Sequence, residues 1–158
     1  MLLAACATPE VAVETEPEEA EESAVPEWYS SDLYASSDSL AVYGFAMASA
    51  ADSANAAGYS RESSIQNLKF EIDRLAEEAR RELADGDSSP YADTSFIIDL
   101  RNSIRDLDIS NVEFTVEHEQ ADNGVHYVYT KAVLSRSELI SLLQQAIQAE
   151  DLLQKLSP

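Results

Sequence analysis

The feature that most restricts the fold is a strict alternation of side chains that leads into a glycine turn. Val112, Phe114 and Val116 alternate with polar residues, Ala121-Asp122-Asn123-Gly124 follows as a turn, and a β-rich run extends from Val125 to Leu134. Alternation of period two indicates a strand with one buried face, and a short polar turn between two such runs indicates a β-hairpin. The chain is therefore expected to contain an antiparallel sheet.

The length of the hairpin loop decides which residues face each other. A two-residue Asn-Gly loop would pair Phe114 with Val133, whereas a three-residue loop with Gly124 in the left-handed conformation pairs Phe114 with Ala132. A slip of one residue moves every side chain to the opposite face. Only the three-residue loop puts the apolar residues of both strands on one face, with Lys131 on the glutamate-bearing face, so we predict that register.

A buried strand and a long helix are predicted before the hairpin. The strand covers Leu40 to Met47, where both faces are apolar and Gly44 indicates a bulge or a close backbone approach. The helix runs from Ser60, as N-cap, to Asp85, with Gly86 as the C-cap residue. Its apolar stripe is Ile65, Leu68, Ile72, Leu75, Ala79 and Leu83. Its solvated face is predicted to carry Glu71, Glu78, Arg81 and Glu82.

Two further helices complete the prediction. One follows Asp93 or Thr94, and the last begins with the capping box Ser135-Arg136-Ser137-Glu138 and continues as an apolar stripe to Leu156. Its distal turns are expected to pack on the sheet or, alternatively, to offer a partner surface. We predict an α+β domain over residues 28–158, with a small three-stranded sheet in β-α-α-β-β-α order, helices on one face, and Trp28 plugging the end of the core.

Charge is concentrated near the amino terminus. The chain has 158 residues and a formal charge of −20, with 30 acids and 10 bases. Eight of the acids are glutamates between Thr8 and Glu27, a segment with three prolines and no base, which leaves −12 for residues 28–158. Such a segment cannot offset its ordering entropy by burial, so residues 7–27 are predicted to be an extended acidic tether. A cation-binding or partner-binding tail is the alternative.

The sign of this charge also excludes classes of partner. A strongly acidic chain repels phosphate backbones, so nucleic-acid binding is not expected. It also lacks a basic face that would hold it on anionic lipid by charge.

The only cysteine precedes the acidic tether. Leu3-Ala4-Ala5-Cys6 resembles the lipobox of bacterial lipoproteins, in which signal peptidase cleaves before a cysteine that then carries diacylglycerol and a third acyl chain. Two or more acyl chains give stable anchoring, at about 0.8 kcal/mol per buried CH₂. Residues 1–6 are therefore predicted to be a truncated lipoprotein signal, with Cys6 lipidated. An ordinary buried cysteine is the alternative, but no core is expected beside the tether.

The leader before Cys6 is short for a signal peptide. A signal peptide has a charged n-region and an apolar h-region of about 7–15 residues, so translation is expected to start upstream of Met1. Ala7 follows the cysteine, and by resemblance to Gram-negative sorting this favours transfer to the outer membrane.

The two histidines are the only metal-ligand candidates. His118 and His126 lie near the hairpin tip, and in the predicted register they are diagonal neighbours about 7–8 Å apart, with Asp122 in the loop. Two histidines and a carboxylate could bind zinc, but their spacing matches no strong zinc motif. Polar residues at an exposed hairpin end are the preferred interpretation, and no metal or cofactor is predicted.

No arrangement of residues indicates catalysis. The single cysteine lies outside the domain and there is no glycine-rich phosphate loop, so a hydrolase would have no identifiable nucleophile. Tyr127 and Tyr129 share the outer hairpin face with Glu117 and Glu119. They could form a binding patch, although cross-strand pairing with the glutamates explains them equally well.

Several of these motifs together resemble a known family. They are Pro26-x-Trp28, Tyr43-Gly44-Phe45-Ala46, a long helix, and Gly124-Val125-His126-Tyr127-Val128-Tyr129 leading into a helix. Over residues 26–150 the chain resembles the Lpp-twenty family of bacterial outer-membrane lipoproteins and is similar to the amino-terminal domain of flagellar assembly protein T. The first helix departs from the family, which favours repeated alanines where this chain has Ser60, Ser64 and Leu68.

The resemblance implies a lipid-anchored α+β domain without enzymatic activity, and it carries over only Cys6 as the lipidated residue. The function expected is that of a structural or protein-interaction module of the cell envelope, held on the outer membrane through Cys6, with an envelope protein of unknown identity as partner. A periplasmic small-ligand or metal-binding domain is the alternative.

Overall fold

A computed structural model of the chain describes residues 25–84 and 89–157. The elements are β1 (Ala35–Ser37), β2 (Ala41–Ala50), α1 (Ser53–Leu83), α2 (Thr94–Arg105), β3 (Glu113–Gln120), β4 (His126–Ser135), α3 (Arg136–Ala146) and α4 (Glu150–Leu156). A short 3₁₀ turn, Pro90–Ala92, precedes α2. The predicted tether up to residue 24, the lipidation of Cys6 and the C-cap role of Gly86 lie outside the described residues.

The described residues form an α+β domain, as predicted, around one antiparallel sheet of four strands in the order β1-β2-β4-β3. The prediction of three strands missed β1, which has only three residues and pairs with β2. Helix α1 packs directly on one face of the sheet, which we call the inner face, and the other described helices pack around α1 on that side to complete the main core. The opposite face is called the outer face.

The hairpin has the predicted register. Phe114 lies opposite Ala132. The Ala121 N–H donates to the Val125 carbonyl over 2.9 Å, which closes a three-residue loop around Gly124 at φ 81°. The apolar residues of both strands thereby reach the inner face, because alternation leaves only this register with a continuous apolar side.

Gly44 is the point at which α1 comes closest to the sheet. A Cβ placed on Gly44 would lie 2.1 Å from the Ser64 carbonyl oxygen and 2.5 Å from the Leu68 nitrogen, both of them helix backbone atoms. The glycine therefore serves a close backbone approach rather than a bulge. It lets Leu68 and Ile72 enter the core together with Leu134.

The first helix begins eight residues earlier than predicted. Its N-cap is Asp52, whose carboxylate accepts the Asn55 N–H over 2.9 Å. Ser60, the predicted N-cap, is fully buried inside α1, and its hydroxyl hydrogen-bonds to the Ala46 carbonyl and to Thr130 Oγ1 at 3.2 and 2.8 Å. A serine suits both a cap and a tight helix–sheet contact, and here the contact with the sheet decides its position.

The last predicted helix is in fact two helices. Ser135 caps α3 as predicted, since its hydroxyl accepts the Glu138 N–H over 3.2 Å. The helix then stops at Ile147, which has an extended backbone with φ −134° and ψ 145°. This break turns α4 back onto α1, where Leu152 and Leu156 are buried. The distal turns were expected to pack on the sheet, with a partner surface as the alternative; instead their leucines are buried against α1.

Substitution of Gly44 by alanine tests the close approach. Gly44→Ala is expected to lower the free energy of unfolding by about 3 kcal/mol, because the added methyl group meets helix backbone that cannot rotate away. Urea denaturation followed by far-UV circular dichroism measures this difference.

Gly58 provides a matched control for this substitution. It lies in α1 with nothing within 4 Å of an added Cβ. Gly58→Ala should raise the stability by about 0.5–1 kcal/mol through helix propensity. Equal effects of the two substitutions would contradict the proposed role of Gly44.

Candidate functional site

The outer face of the sheet carries a cluster of aromatic side chains. Tyr43 and Phe45 on β2 stack with ring centroids 6.2 Å apart, and Tyr129 on β4 lies opposite Met47. Phe45 and Tyr129 are only 7% and 5% exposed although none of the helices in residues 25–84 and 89–157 covers this face. Another part of the chain must therefore cover them.

The cover is the segment just before β1. The chain turns at Pro26, whose carbonyl accepts the Tyr29 N–H over 2.9 Å. Trp28 lies against Phe45 with ring centroids 6.3 Å apart, and Tyr29 meets Tyr129 edge-on at 5.0 Å. We call Pro26–Tyr29 the aromatic strap. Trp28 thus lies on the outer face rather than plugging the end of the main core, and this corrects the prediction made for it.

Polar contacts fix the strap as well as aromatic ones. Trp28 Nε1 donates to Glu117 Oε1 over 2.6 Å, and the Lys131 ammonium lies 5.3 Å from the centre of the indole ring. The hydroxyl of Tyr129 donates to Glu119 Oε2 over 3.4 Å. Burial, together with the neighbouring Glu119 carboxylate, raises the pKa of Tyr129, so the phenol stays protonated and keeps its role as a hydrogen-bond donor.

The predicted tyrosine patch is therefore partly occupied by the chain itself. Glu117 lies opposite Tyr129, and Glu119 lies opposite Tyr127, so the cross-strand pairing expected from the hairpin is present. Tyr129 is covered by the strap, while Tyr127 is half-buried. The arrangement holds a segment of chain against the sheet.

The histidines are placed as the hairpin register predicts. His118 lies opposite Val128 and His126 opposite Gln120, which makes the two histidines diagonal neighbours. His118 Nδ1 is 3.4 Å from the Ser53 hydroxyl at the start of α1. In the described ranges, which include the exposed Asp122, no three His, Cys, Asp or Glu side chains come together as a metal-binding group.

Two buried or half-buried glutamates of α1 serve the fold. Glu71, predicted to be solvated, is buried and accepts hydrogen bonds from Arg74 and from the Ser37 hydroxyl of β1 at 2.7 Å each. Arg74 and Ser37 hold the pKa of Glu71 below its usual range against the opposing effect of burial. The carboxylate thereby ties the edge strand β1 to α1.

Glu77 ties α1 to the turn before α2. It accepts hydrogen bonds from Arg80 at 2.7 Å and from Arg81 at 2.8 Å, and Arg80 also donates to the Tyr91 carbonyl. These guanidinium groups, Arg80 first, lower the pKa of Glu77 to about 2. In the described part of the chain every buried side-chain nitrogen or oxygen has a hydrogen-bond partner. No buried polar group there lacks a hydrogen bond that a ligand would have to supply.

Grooves on the described surface are open, and their linings mix polar and apolar residues. One of about 630 Å³ lies between α2 and α3 and is lined by Asp99, Asn102 and Gln145 among others. Its polar lining residues are exposed or half-buried and already solvated. Nothing in its lining points to a particular ligand.

The comparisons with known proteins add no relative. No family model, curated protein or solved structure gives a significant match to the chain. The resemblance to the Lpp-twenty family therefore stays a prediction that rests on the motifs quoted above.

Substitutions of Trp28 test the strap. Trp28→Ala should lower the free energy of unfolding by about 2 kcal/mol, because Phe45 loses its cover and Glu117 loses a donor. Trp28→Phe keeps a ring and should cost about half as much. Urea unfolding is followed by circular dichroism rather than by tryptophan fluorescence, because Trp28 is the only tryptophan and the substitutions remove it. Tyr34→Ala, at a ring that is 54% exposed, is the control with an expected effect below about 1 kcal/mol.

A second prediction concerns the ion pair in α1. Glu77→Gln should destabilise the domain by about 1–3 kcal/mol at pH 7, because the largely buried Arg80 loses its charged partner. The native pKa of Glu77, about 2, lies below the ordinary glutamate value of 4.5. The stabilisation is therefore present above pH 4.5 and is lost as the pH falls towards 2.

The difference in stability between the wild type and Glu77→Gln should accordingly shrink over that acidic range. Urea midpoints measured at several pH values record it. Glu82→Gln removes an exposed pair with Lys155 and should change stability by less than about 1 kcal/mol. A pH-independent difference for Glu77→Gln would contradict the assignment.

Proposed function

We propose that this chain is a lipid-anchored protein of the bacterial outer membrane, whose α+β domain acts as a structural or protein-interaction module. The observation that carries the proposal is Leu3-Ala4-Ala5-Cys6, which holds the only cysteine and lies just upstream of a segment of eight glutamates. Acyl chains on Cys6 would supply membrane affinity that the acidic chain cannot obtain by charge.

The position of the aromatic strap supports this assignment. The predicted tether leads directly into the strap, which already includes its last two residues, Pro26 and Glu27. Within the strap, Trp28 is fixed to the outer face by Phe45 and Glu117. The helices lie on the other face of the sheet. In an anchored protein the tether would thus join the domain on one side, and the helical layer would be presented on the opposite side.

The charge of the domain is consistent with this arrangement. Residues 28–158 carry a net charge of −12, and the tether adds eight further negative charges. Both would be repelled by anionic lipid headgroups, so the domain would be held near a membrane without lying on it.

The composition of the interior favours a binding or structural role over catalysis. Among the buried polar side chains of the described residues, Ser60, Thr130 and Glu71 form hydrogen bonds that join helix to sheet. The other two, Ser64 and Arg80, bond within α1 and, for Arg80, to the Tyr91 carbonyl before α2. None of the described helices combines the length and apolar character needed to cross a membrane, so membrane attachment in the proposal rests on Cys6.

Metabolic labelling tests the anchor. The gene, expressed from its natural start in a Gram-negative host fed an alkyne-tagged palmitate, should give a labelled protein that fractionates with the outer membrane. Cys6→Ala should abolish the label and release the protein from the membrane fraction, because the acyl chains have no other thiol to occupy.

Thr8→Ala serves as the matched control and should keep the label, since it changes a neighbouring side chain without removing the thiol. Immunoblotting verifies that the variants are equally abundant. An unlabelled wild type, or a label that survives Cys6→Ala, would refute the anchor.

A further inference from the structure

The edge of β2 is only partly covered by β1. The pairing of β1 with β2 ends at Gly44, and beyond it the Phe45 N–H donates to the Tyr34 carbonyl over 2.8 Å. Asn67 Nδ2 of α1 donates to the Phe45 carbonyl over 2.7 Å. The strand continues past this point to Ala50 without a neighbour on that side among the described residues.

The backbone groups of this stretch point outward. Alternate residues of a strand direct their N–H and C=O groups to the same side, so Met47 and Ser49 follow Phe45 and point away from β4. On this side of β2, the N–H and C=O groups of Met47 and Ser49 form no backbone hydrogen bond within the ranges that the structure describes. We call residues 46–50 the β2 notch.

The β2 notch carries no charge. No residue from Ala41 to Ala51 is charged, and Met47 is 40% exposed. The other edge of the sheet, β3, carries three glutamates on its outer face. Charged side chains are a usual protection of an exposed edge against pairing, so β3 is protected and the notch is not.

An exposed aromatic side chain lies on the same side of α1. Tyr59, Ser63 and Asn67 form one i, i+4, i+8 row on the helix, and Asn67 reaches the β2 edge. Tyr59 is 59% exposed. A second strand added at the notch would therefore also meet an aromatic ring above it.

We propose that the β2 notch pairs with the notch of a second copy, antiparallel, about a two-fold axis through Ala48. This operation sets Met47 opposite the partner's Ser49 and Ser49 opposite the partner's Met47. The open stretch is five residues long and meets the same five residues, with β1 of each copy beyond its ends. No like charges face each other across the new ladder.

The proposed dimer is weak and has a characteristic salt dependence. Its ladder adds four main-chain hydrogen bonds and buries Met47 and Tyr59, which is less than a standard stable interface. Each domain carries −12 between residues 28 and 158, and salt screens the repulsion between two such domains. Association is therefore tighter at high salt. A cationic partner segment in the notch would show the opposite dependence.

Sedimentation velocity on the 158-residue chain in reducing buffer tests the proposal. The weight-average mass should rise from the 17.3 kDa of one copy towards twice that value between about 10 µM and about 1 mM protein. The rise should begin at a lower concentration in about 500 mM than in about 50 mM NaCl. A mass of one copy throughout, or an association weakened by salt, would overturn the proposal.

Matched charge variants locate the interface. Met47→Glu should raise the dimer dissociation constant about tenfold, because it adds two carboxylates to an uncharged ladder. Thr115→Glu adds the same charge at an exposed site on β3 and should leave association unchanged. Far-UV circular dichroism verifies that both variants are folded.

A double variant then supplies a rescue. Met47→Glu combined with Ser49→Lys sets opposite charges across the proposed ladder and should bring the dissociation constant back to within about threefold of the wild type. Equal weakening by Thr115→Glu and Met47→Glu, or failure of the double variant to recover, would rule out pairing through the notch. The dimer does not depend on the anchor, so its failure leaves the proposed function untouched.

Discussion

The rest of the structure depends on the close contact between α1 and β2 at Gly44. The absence of a side chain there brings helix backbone directly against the strand. Small residues continue this contact, and the Ser60 hydroxyl bridges to the sheet at Ala46 and Thr130. With α1 in this position the larger residues Leu68 and Ile72 reach the core, and Glu71 can tie β1 to the same helix.

The second constraint is that β2 is apolar on both sides, while the described helices cover only the inner face of the sheet. Phe45 and Tyr129 point away from the helices and would be exposed without the strap. Burial of these rings is the driving force, while Glu117 and Lys131 determine how Trp28 is oriented. The strap thus covers the outer face at the point where the chain enters the domain, just before β1.

Much of the fold could be predicted because its local patterns were unambiguous. Alternation in β3 and β4 determined the register, and with it the diagonal placement of His118 and His126. Other features depend on tertiary contacts that leave no local pattern. Ser60 looks like a helix cap until the sheet is placed beside it, and the leucine spacing that suggested one final helix continues across the break at Ile147.

The candidate site was less predictable for the same reason. The tyrosine and glutamate positions on the outer face followed from the hairpin, but the role of Trp28 required knowing that β2 lies beside β4. A strand that is apolar on both sides implied a second cover, but nothing in the sequence selected Trp28 and Tyr29 for this role over Tyr34, which lies nearer to β2 in the chain. The strand β1 has the sequence Ala-Ser-Ser and gave no β signal at all.

The strap also sets the mechanical order of the domain. A pulling force that arrives from upstream reaches Trp28 before it reaches any strand, because Trp28 precedes β1 in the chain. The next resistance is the short ladder between β1 and β2, followed by the long ladder between β2 and β4. Extension would therefore first break the aromatic contacts of the strap and leave the Gly44 contact and the hairpin intact. A small pulling force would then detach the strap from the outer face without unfolding the rest of the domain.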